Sequence, residues 1–182
     1  MSAPTLKPDM SRIDLAHLFC EMGYKSGAEI GTARGAYAYS LARANPQATI
    51  YCIDPWQVYP GYADIISQQE MDKNYLKARK RLRPFDNVKM IVTSSYNAAQ
   101  NFDDNQLDFV YIDANHDFIY AFFDIFIWSR KVRSGGIISG HDYGNKECVT
   151  ITVDEYVKKF EIDPWFVIGS PSRAQSWYWV KP

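Results

Sequence analysis

The sequence has few cysteines, no excess of either charge and no long apolar run. Cys20, Cys52 and Cys148 are scattered without C-x-x-C spacing, which is typical of reduced thiols in a cytoplasmic protein. The chain has 20 Lys and Arg and 21 Asp and Glu, so it lacks the excess of basic residues that nucleic-acid binding needs. The longest apolar stretch, residues 118–128, is interrupted by Asp124 and is too short to cross a bilayer. We therefore expect neither a nucleic-acid partner nor a membrane.

The chain has enough apolar residues to form a core. Its 182 residues are 47% hydrophobic, which predicts one globular domain over residues 1–182. The first ten residues, MSAPTLKPDM, have no apolar stretch like that of a secretory signal peptide. Residues 11–22 have the apolar spacing of a short helix that ends at Gly23. We expect a helical cap over 1–24 and the main fold over 25–182.

After this helix, apolar runs typical of strands alternate with helical patterns. The predicted strands are 28–30, 49–53, 88–92, 107–112, 136–139, 165–168 and 177–180. The further helices are 36–44, 70–82, 96–101, 119–132 and 153–160. Strands joined through helices pair in parallel, whereas the loop before the final strand is too short for a crossover helix. The pattern predicts an α/β Rossmann-like, doubly wound, mostly parallel seven-stranded sheet with an antiparallel final strand.

Polar residues collect where the predicted strands end. Parallel strands place their carboxyl ends on one edge of the sheet, where ligands bind in doubly wound folds. The residues at this edge are Gly31, Asp54, Ser94, Asp113, His141 and Asp142. Their shared position predicts a functional site.

The first of these loops, in AEIGTARGAY, has the character of a cofactor cradle. Gly31 and Gly35 permit close approach of a ligand to the backbone, and Asp54 can accept hydrogen bonds from ribose hydroxyls. An ordinary tight turn before a helix is the alternative. Dinucleotide sites use G-x-G-x-x-G, but here Glu29 occupies the first glycine position, where it would repel a pyrophosphate. The pattern favours S-adenosylmethionine over NAD.

Six segments make the sequence resemble the class I S-adenosylmethionine-dependent methyltransferases, in particular the small catechol-type and natural-product sugar O-methyltransferases. The segments are EIGTARG, YCIDPW, VTSSY, LDFVYIDANH, RSGGIISGHDY and SWYWVKP. The resemblance implies that S-adenosylmethionine binds along this edge. The implied contacts are Glu29, Gly31 and Gly35 at the methionine end, Thr32 and Tyr37 at its carboxylate, Asp54 and Trp56 at the ribose, and Ser94, Ser95 and Tyr96 at the adenine.

The resemblance also implies a metal site and a general base. Metal-dependent relatives hold a divalent ion, Mg²⁺ or Mn²⁺, with residues at the positions of Asp113, His141 and Asp142. Asp113 is further assigned to cofactor binding and catalysis. His141 departs from the usual acid, and an imidazole suits Mn²⁺, Fe²⁺ or Zn²⁺ better than Mg²⁺. His116 stands where relatives carry a basic lysine or histidine, and a neutral imidazole can take a proton at pH 7. The alternative is that both histidines only bond to their neighbours.

Two further segments bear on partners. The helix in FIYAFFDIFIW is apolar almost all round, which indicates either a well-covered helix or the interface of a homodimer. The aromatic segment PWQVYPGYADIISQQ, with Trp56, Tyr59 and Tyr62, is placed to cover an acceptor. The sequence thus predicts a cytoplasmic O-methyltransferase that acts on a hydroxyl of a small molecule or sugar. A module that binds the cofactor without catalysis, and an NAD-dependent enzyme, are the alternatives.

Overall fold

The structure, a computed structural model, describes residues 3–60 and 67–182, which form eight strands and six helices. In chain order these are β1 (Thr5–Lys7), α1 (Arg12–Glu21), β2 (Ser26–Ile30), α2 (Ala36–Ala44), β3 (Thr49–Asp54), α3 (Gln68–Leu82), β4 (Val88–Val92), α4 (Ser95–Ala99), β5 (Leu107–Ile112), α5 (Phe118–Lys131), β6 (Val132–Tyr143), α6 (Glu147–Lys159), β7 (Trp165–Ile168) and β8 (Gln175–Val180).

All eight strands belong to one sheet, in the order β1-β7-β8-β6-β5-β2-β3-β4. Every pair is parallel except those of β8, which runs antiparallel to β6 on one side and to β7 on the other. The predicted fold class and the antiparallel final strand are confirmed. The predicted count of seven strands is corrected to eight within the described residues, because β1 adds a short parallel strand beside β7.

Helices cover both faces of the sheet, as a doubly wound fold requires. On one face α1 packs on α2 and α2 on α3, and on the other α5 packs on both α4 and α6. Each face has its own apolar core. One is centred on Phe19, Leu41 and Phe109, and the other on Trp128 and Trp177. The sheet therefore separates two cores and leaves its carboxyl edge between them.

Most predicted bounds agree with the structure, but β6 and α6 do not. Strand β6 is twelve residues long and includes both His141 and Asp142. Helix α6 begins at Glu147 rather than at residue 153. Helix α1 begins as its sequence indicates, since Ser11 and Asp14 form a capping box at its first turn.

The outer side of α5 carries large apolar side chains. Five of these side chains are each more than a third exposed: Phe118, Ile119, Tyr120, Phe123 and Phe126. The homodimer predicted from this helix stays a prediction. None of the helices in residues 3–60 and 67–182 is long and apolar enough to cross a membrane.

Candidate active site

The polar residues predicted at the carboxyl edge of the sheet do lie there. Asp54 is the last residue of β3, and Asp113 directly follows β5. Strands β5 and β6 are parallel neighbours that pair Ile112 with Gly140, so Asp113 lies beside the His141-Asp142 pair. Residues almost thirty positions apart in the chain therefore form one cluster.

Gly31 allows the loop after β2 to approach the loop after β5. Its φ of +90° lies in the left-handed region, and a Cβ there would clash with the main-chain oxygen of Asp113. The Gly31 amide also donates to the Ile53 carbonyl at 2.9 Å. The loop after β2 is thus held against the ends of both neighbouring strands.

Glu29 is a buried acid on the α1–α2 face of the sheet. Its side chain is 2% exposed and lies in register with Cys52 and Tyr111 on the neighbouring strands. Glu29 Oε2 and the nearby Thr32 Oγ1 are buried without a hydrogen-bond partner among the described residues. Burial raises the pKa of Glu29 to about 8. Buried polar atoms are normally paired, so this position suits a ligand with hydrogen-bond donors.

Asp54 links the loops that follow β2 and β3. One carboxylate oxygen accepts from the Ala33 amide at 2.8 Å, and the other accepts from the Trp56 amide at 2.7 Å. The Trp56 indole donates in turn to the Ala33 carbonyl at 2.8 Å. Burial raises the pKa of Asp54, and the two amide bonds oppose that rise. Each oxygen keeps a further lone pair that can accept from a ligand hydroxyl.

The three residues predicted at the adenine begin α4 but differ in direction. Ser94 caps the helix by accepting from the Asn97 amide, and Tyr96 is 62% exposed. Ser95 turns toward α5, where its hydroxyl donates to Asp124 and accepts from the Trp128 indole at 2.8 Å. Asp124 is a partner of Ser95 that the sequence did not predict. The feature of the sequence that could have indicated this contact is an acid within an otherwise apolar helix.

Asp113, His141 and Asp142 can hold a metal ion. Each offers a ligand atom, and the three atoms lie within 4.8 Å of one another. His141 Nδ1 is 3.4 Å from Asp142 Oδ2 and 3.9 Å from Asp113 Oδ2. Asp142 has a φ of +62°, a strained conformation for a residue other than glycine that often marks functional sites. The arrangement brings two carboxylates and an imidazole to a common point.

His116 adjoins the same cluster. Its Nε2 lies 2.9 Å from Asp142 Oδ2 and 3.9 Å from Asp113 Oδ1. Burial alone would raise the pKa of Asp142, but hydrogen bonds from His116 and His141 outweigh burial and hold that pKa well below its ordinary value. Asp142 is therefore a carboxylate that orients the His116 ring, as the acid does in histidine-based catalytic sites.

Arg12 is a second residue that the sequence analysis did not assign to the site. Its guanidinium carbon lies 5.3 Å from the centre of the Tyr37 ring, and its main-chain oxygen accepts from the Tyr37 hydroxyl at 2.8 Å. The Tyr37 ring packs 4.2 Å from that of Tyr111. Burial lowers the pKa of Arg12, but Tyr111 and Asp113 outweigh burial and raise it overall. Arg12 is thus a cation near the ends of β2 and β5.

The aromatic segment after β3 lies partly within the described residues. Trp56 packs against Tyr75 at 5.1 Å, and Tyr59 accepts from the Asn115 side chain at 3.3 Å. Tyr62 lies outside the described residues. Tyr59 therefore contacts the loop after β5, which carries His116.

Several solved structures share this fold at low sequence identity. The O-methyltransferase TomG from Streptomyces achromogenes, in complex with SAM, is 17% identical with a TM-score of 0.67 over 94% of this chain and 80% of that one. The O-methyltransferase from Bacillus cereus, in complex with SAH, is 16% identical with a TM-score of 0.66 over 99% and 84%. A comparison with curated proteins finds no match.

The sequence also matches a family model, described as a methyltransferase domain, over residues 28–143. This range begins in β2 and ends with β6, so it includes the glycine loop after β2, Asp54 and the histidine–carboxylate cluster. It spans well over half of the chain. The chain therefore belongs to this methyltransferase family, and its sheet is that of the class I S-adenosylmethionine-dependent methyltransferases.

Proposed function

We propose that the protein is an O-methyltransferase that transfers a methyl group from S-adenosylmethionine to a hydroxyl of a small molecule or sugar. The observation that carries this proposal is the His116–Asp142 contact of 2.9 Å, on the same sheet edge as the Glu29 oxygen that lacks a hydrogen-bond partner among the described residues. Glu29 offers an acid that can ionise beside a cationic cofactor, and His116 offers a base to an acceptor. The description of TomG and the Bacillus cereus protein as O-methyltransferases supports the same class.

The residues at the edge fit S-adenosylmethionine. The Glu29 oxygen without a partner in the described part of the chain matches an ammonium group, which has only donors. The Thr32 hydroxyl, likewise without a partner there, can donate to the carboxylate on the same carbon. Asp54 would accept from the ribose hydroxyls, and residues 94–96 would border the adenine. When bound, S-adenosylmethionine supplies a methyl group on a positively charged sulfur. A dinucleotide fits less well because Glu29 lies where its pyrophosphate would need glycine.

Asp113, His141 and Asp142 would hold a divalent ion. Two carboxylates with one imidazole suit Mn²⁺ or Zn²⁺ better than Mg²⁺, which prefers oxygen ligands alone. When bound, such an ion lowers the pKa of a coordinated hydroxyl. Calorimetric titration with Mn²⁺ and Mg²⁺ separately tests this preference, and a site that binds Mg²⁺ more tightly would contradict it. Turnover that is unchanged by a chelator would remove the metal from the mechanism.

His116 would act as the general base. It would accept the hydroxyl proton while the acceptor oxygen bonds to the methyl carbon and the carbon–sulfur bond breaks. Asp142 would fix the ring orientation and stabilise the imidazolium that forms. Placement of the acceptor matters as much as the base, because the transfer is a single in-line displacement.

The experiment that tests this function measures methyl transfer from labelled S-adenosylmethionine to catechol, polyketide and sugar acceptors. With an accepted substrate, His116→Ala should lower turnover by roughly 10²–10⁴. His17→Ala is the matched control, because His17 is an exposed histidine on α1. A His116→Ala rate equal to that of the control would remove the base role. Binding of the cofactor without transfer to any acceptor would favour the inactive module.

A further inference from the structure

Arg12 places a positive charge beside a site that is rich in acids. Glu29, Asp54, Asp113 and Asp142 all lie along the carboxyl edge. Arg12 comes from the start of α1, a helix that the sequence predicted only as a cap. Because a guanidinium is always charged and is costly to bury, its presence here needs an explanation.

Arg12 is held in place by aromatic neighbours. Its guanidinium carbon lies 5.3 Å from the centre of the Tyr37 ring, within the range of a cation–π contact. The Tyr37 hydroxyl donates to the Arg12 main-chain oxygen at 2.8 Å, so one side chain contacts both ends of the residue. Tyr37 is the second residue of α2, directly after the glycine loop. Arg12 is therefore tied to the loop that would hold the cofactor.

Arg12 and Glu29 belong to the same small region. Glu29 pairs in register with Tyr111 across β2 and β5, so both side chains lie on the face that α1 covers. The Tyr111 ring packs against Tyr37, which in turn lies against Arg12. Arg12 also opposes the rise in the pKa of Glu29 that burial causes. A cation and an acid thus lie in the same region of the sheet edge, close enough for Arg12 to influence Glu29.

We propose that Arg12 binds the carboxylate of the amino-acid end of S-adenosylmethionine, beside Glu29, which binds the ammonium. The inference rests on the proposed function and adds the residue that selects for an intact amino-acid end. The ammonium and carboxylate of this end are attached to the same carbon, so a protein that binds both needs opposite charges close together. Guanidinium groups bind carboxylates through paired hydrogen bonds, which gives direction as well as charge.

The test compares S-adenosylhomocysteine with its decarboxylated analogue, which keeps the amine and the nucleoside. Calorimetry should show the wild-type protein binding S-adenosylhomocysteine about 10- to 100-fold more tightly than the analogue, since a charged hydrogen-bonded pair contributes that much. In Arg12→Gln the two ligands should bind equally. Arg12→Lys keeps the charge and should keep part of the preference.

Arg34→Gln is the matched control. Arg34 lies in the same glycine loop, between Gly31 and Gly35, but its side chain bonds to Asn74 and lies near Glu70, toward α3. This variant loses the same charge and should keep the full preference for S-adenosylhomocysteine.

Two outcomes overturn the inference. An unchanged preference in Arg12→Gln would show that the carboxylate does not bind Arg12. A loss of affinity in Arg12→Gln and Arg12→Lys that is equal for both ligands would show that Arg12 only supports the fold. If the wild-type protein binds neither nucleoside, the proposed function itself fails, and that result is distinct from either outcome.

Discussion

Glu29 is deeply buried, and one of its carboxyl oxygens has no partner among the described residues. This combination makes the ionised form of Glu29 unfavourable. Burial raises the pKa of Glu29 to about 8, so the free protein keeps it protonated at neutral pH. A bound ammonium group would favour the ionised form instead. If Glu29 binds the cofactor as proposed, binding would be coupled to the release of a proton from Glu29.

This coupling predicts the pH dependence of binding. The affinity for S-adenosylhomocysteine should rise between pH 6 and pH 8, because less work is needed to ionise Glu29, and then level off. Calorimetry in two buffers of different ionisation heat should detect the released proton at pH 7. Glu29→Gln should bind more weakly and release none. Glu70→Gln, a change to a half-buried acid on α3 away from Glu29's strand, should behave as wild type. Proton release from Glu29→Gln equal to that of wild type would contradict the prediction.

At the scale of elements, α5 contains a buried acid that links it to α4. Asp124 is 8% exposed and accepts from Ser95, whose hydroxyl also accepts from the Trp128 indole. Burial raises the pKa of Asp124 to about 7, although the bond from Ser95 opposes the rise. The contact fixes the start of α4 against the middle of α5. The acid that makes this contact, Asp124, resists ionisation in the folded state.

Asp124 should therefore make the protein less stable as the pH rises. Its folded pKa is raised above the unfolded value, so the folded state binds the extra proton between about pH 4 and pH 7. Stability is lost as the pH rises through this window. Asp124→Asn has no such loss. The free energy of unfolding of the variant minus that of wild type should therefore increase by a few kcal/mol between pH 4.5 and pH 8.

Urea unfolding at the two pH values measures this difference. Asp103→Asn is the control, because Asp103 is an exposed acid in the loop before β5. Equal changes with pH in Asp124→Asn and wild type would contradict the prediction.

For the whole molecule, the proposed cofactor site draws on four neighbouring strands and the loops that follow them, β2 to β5, and on α1, so a ligand there should stabilise the entire fold. S-adenosylhomocysteine at 100 times its dissociation constant should add about 2.7 kcal/mol. For a chain of this size, that corresponds to a rise in melting temperature of roughly 5–10 °C. NAD at the same concentration should give no rise. A response to NAD without a response to S-adenosylhomocysteine would refute the proposed function.

Most strands of the sheet could be predicted from the sequence because the buried strands are strongly apolar. Segments such as Leu107–Ile112 are almost fully buried, and their polar ends predict the edge where Asp54 and Asp113 lie. Parallel pairing then brings together residues that are distant in the chain. The shared location of Asp113, His141 and Asp142 follows from that rule alone.

The features that the sequence did not predict depend on tertiary contacts. Strand β1 is three mostly exposed residues at the edge of the sheet, too short and too polar to give a periodic signal. Arg12 occupies an ordinary position at a helix start, and only the packing of α1 on α2 brings it to Tyr37. The pairing of Asp124 with Ser95 joins two helices, which no local pattern can report.

Strand β8 sits between β6 and β7, and its position has a consequence for protein synthesis. The six residues of β8 follow the other seven described strands in the chain, yet they provide the neighbour of the strand that carries His141 and Asp142. The Trp177 indole donates to the His141 carbonyl, and Ser176 bonds to the Tyr111 hydroxyl. A nascent chain that stops before Gln175 therefore exposes two bare strand edges at the heart of the sheet. We expect such a nascent chain to aggregate, because unpaired strand edges can pair with the edges of other chains.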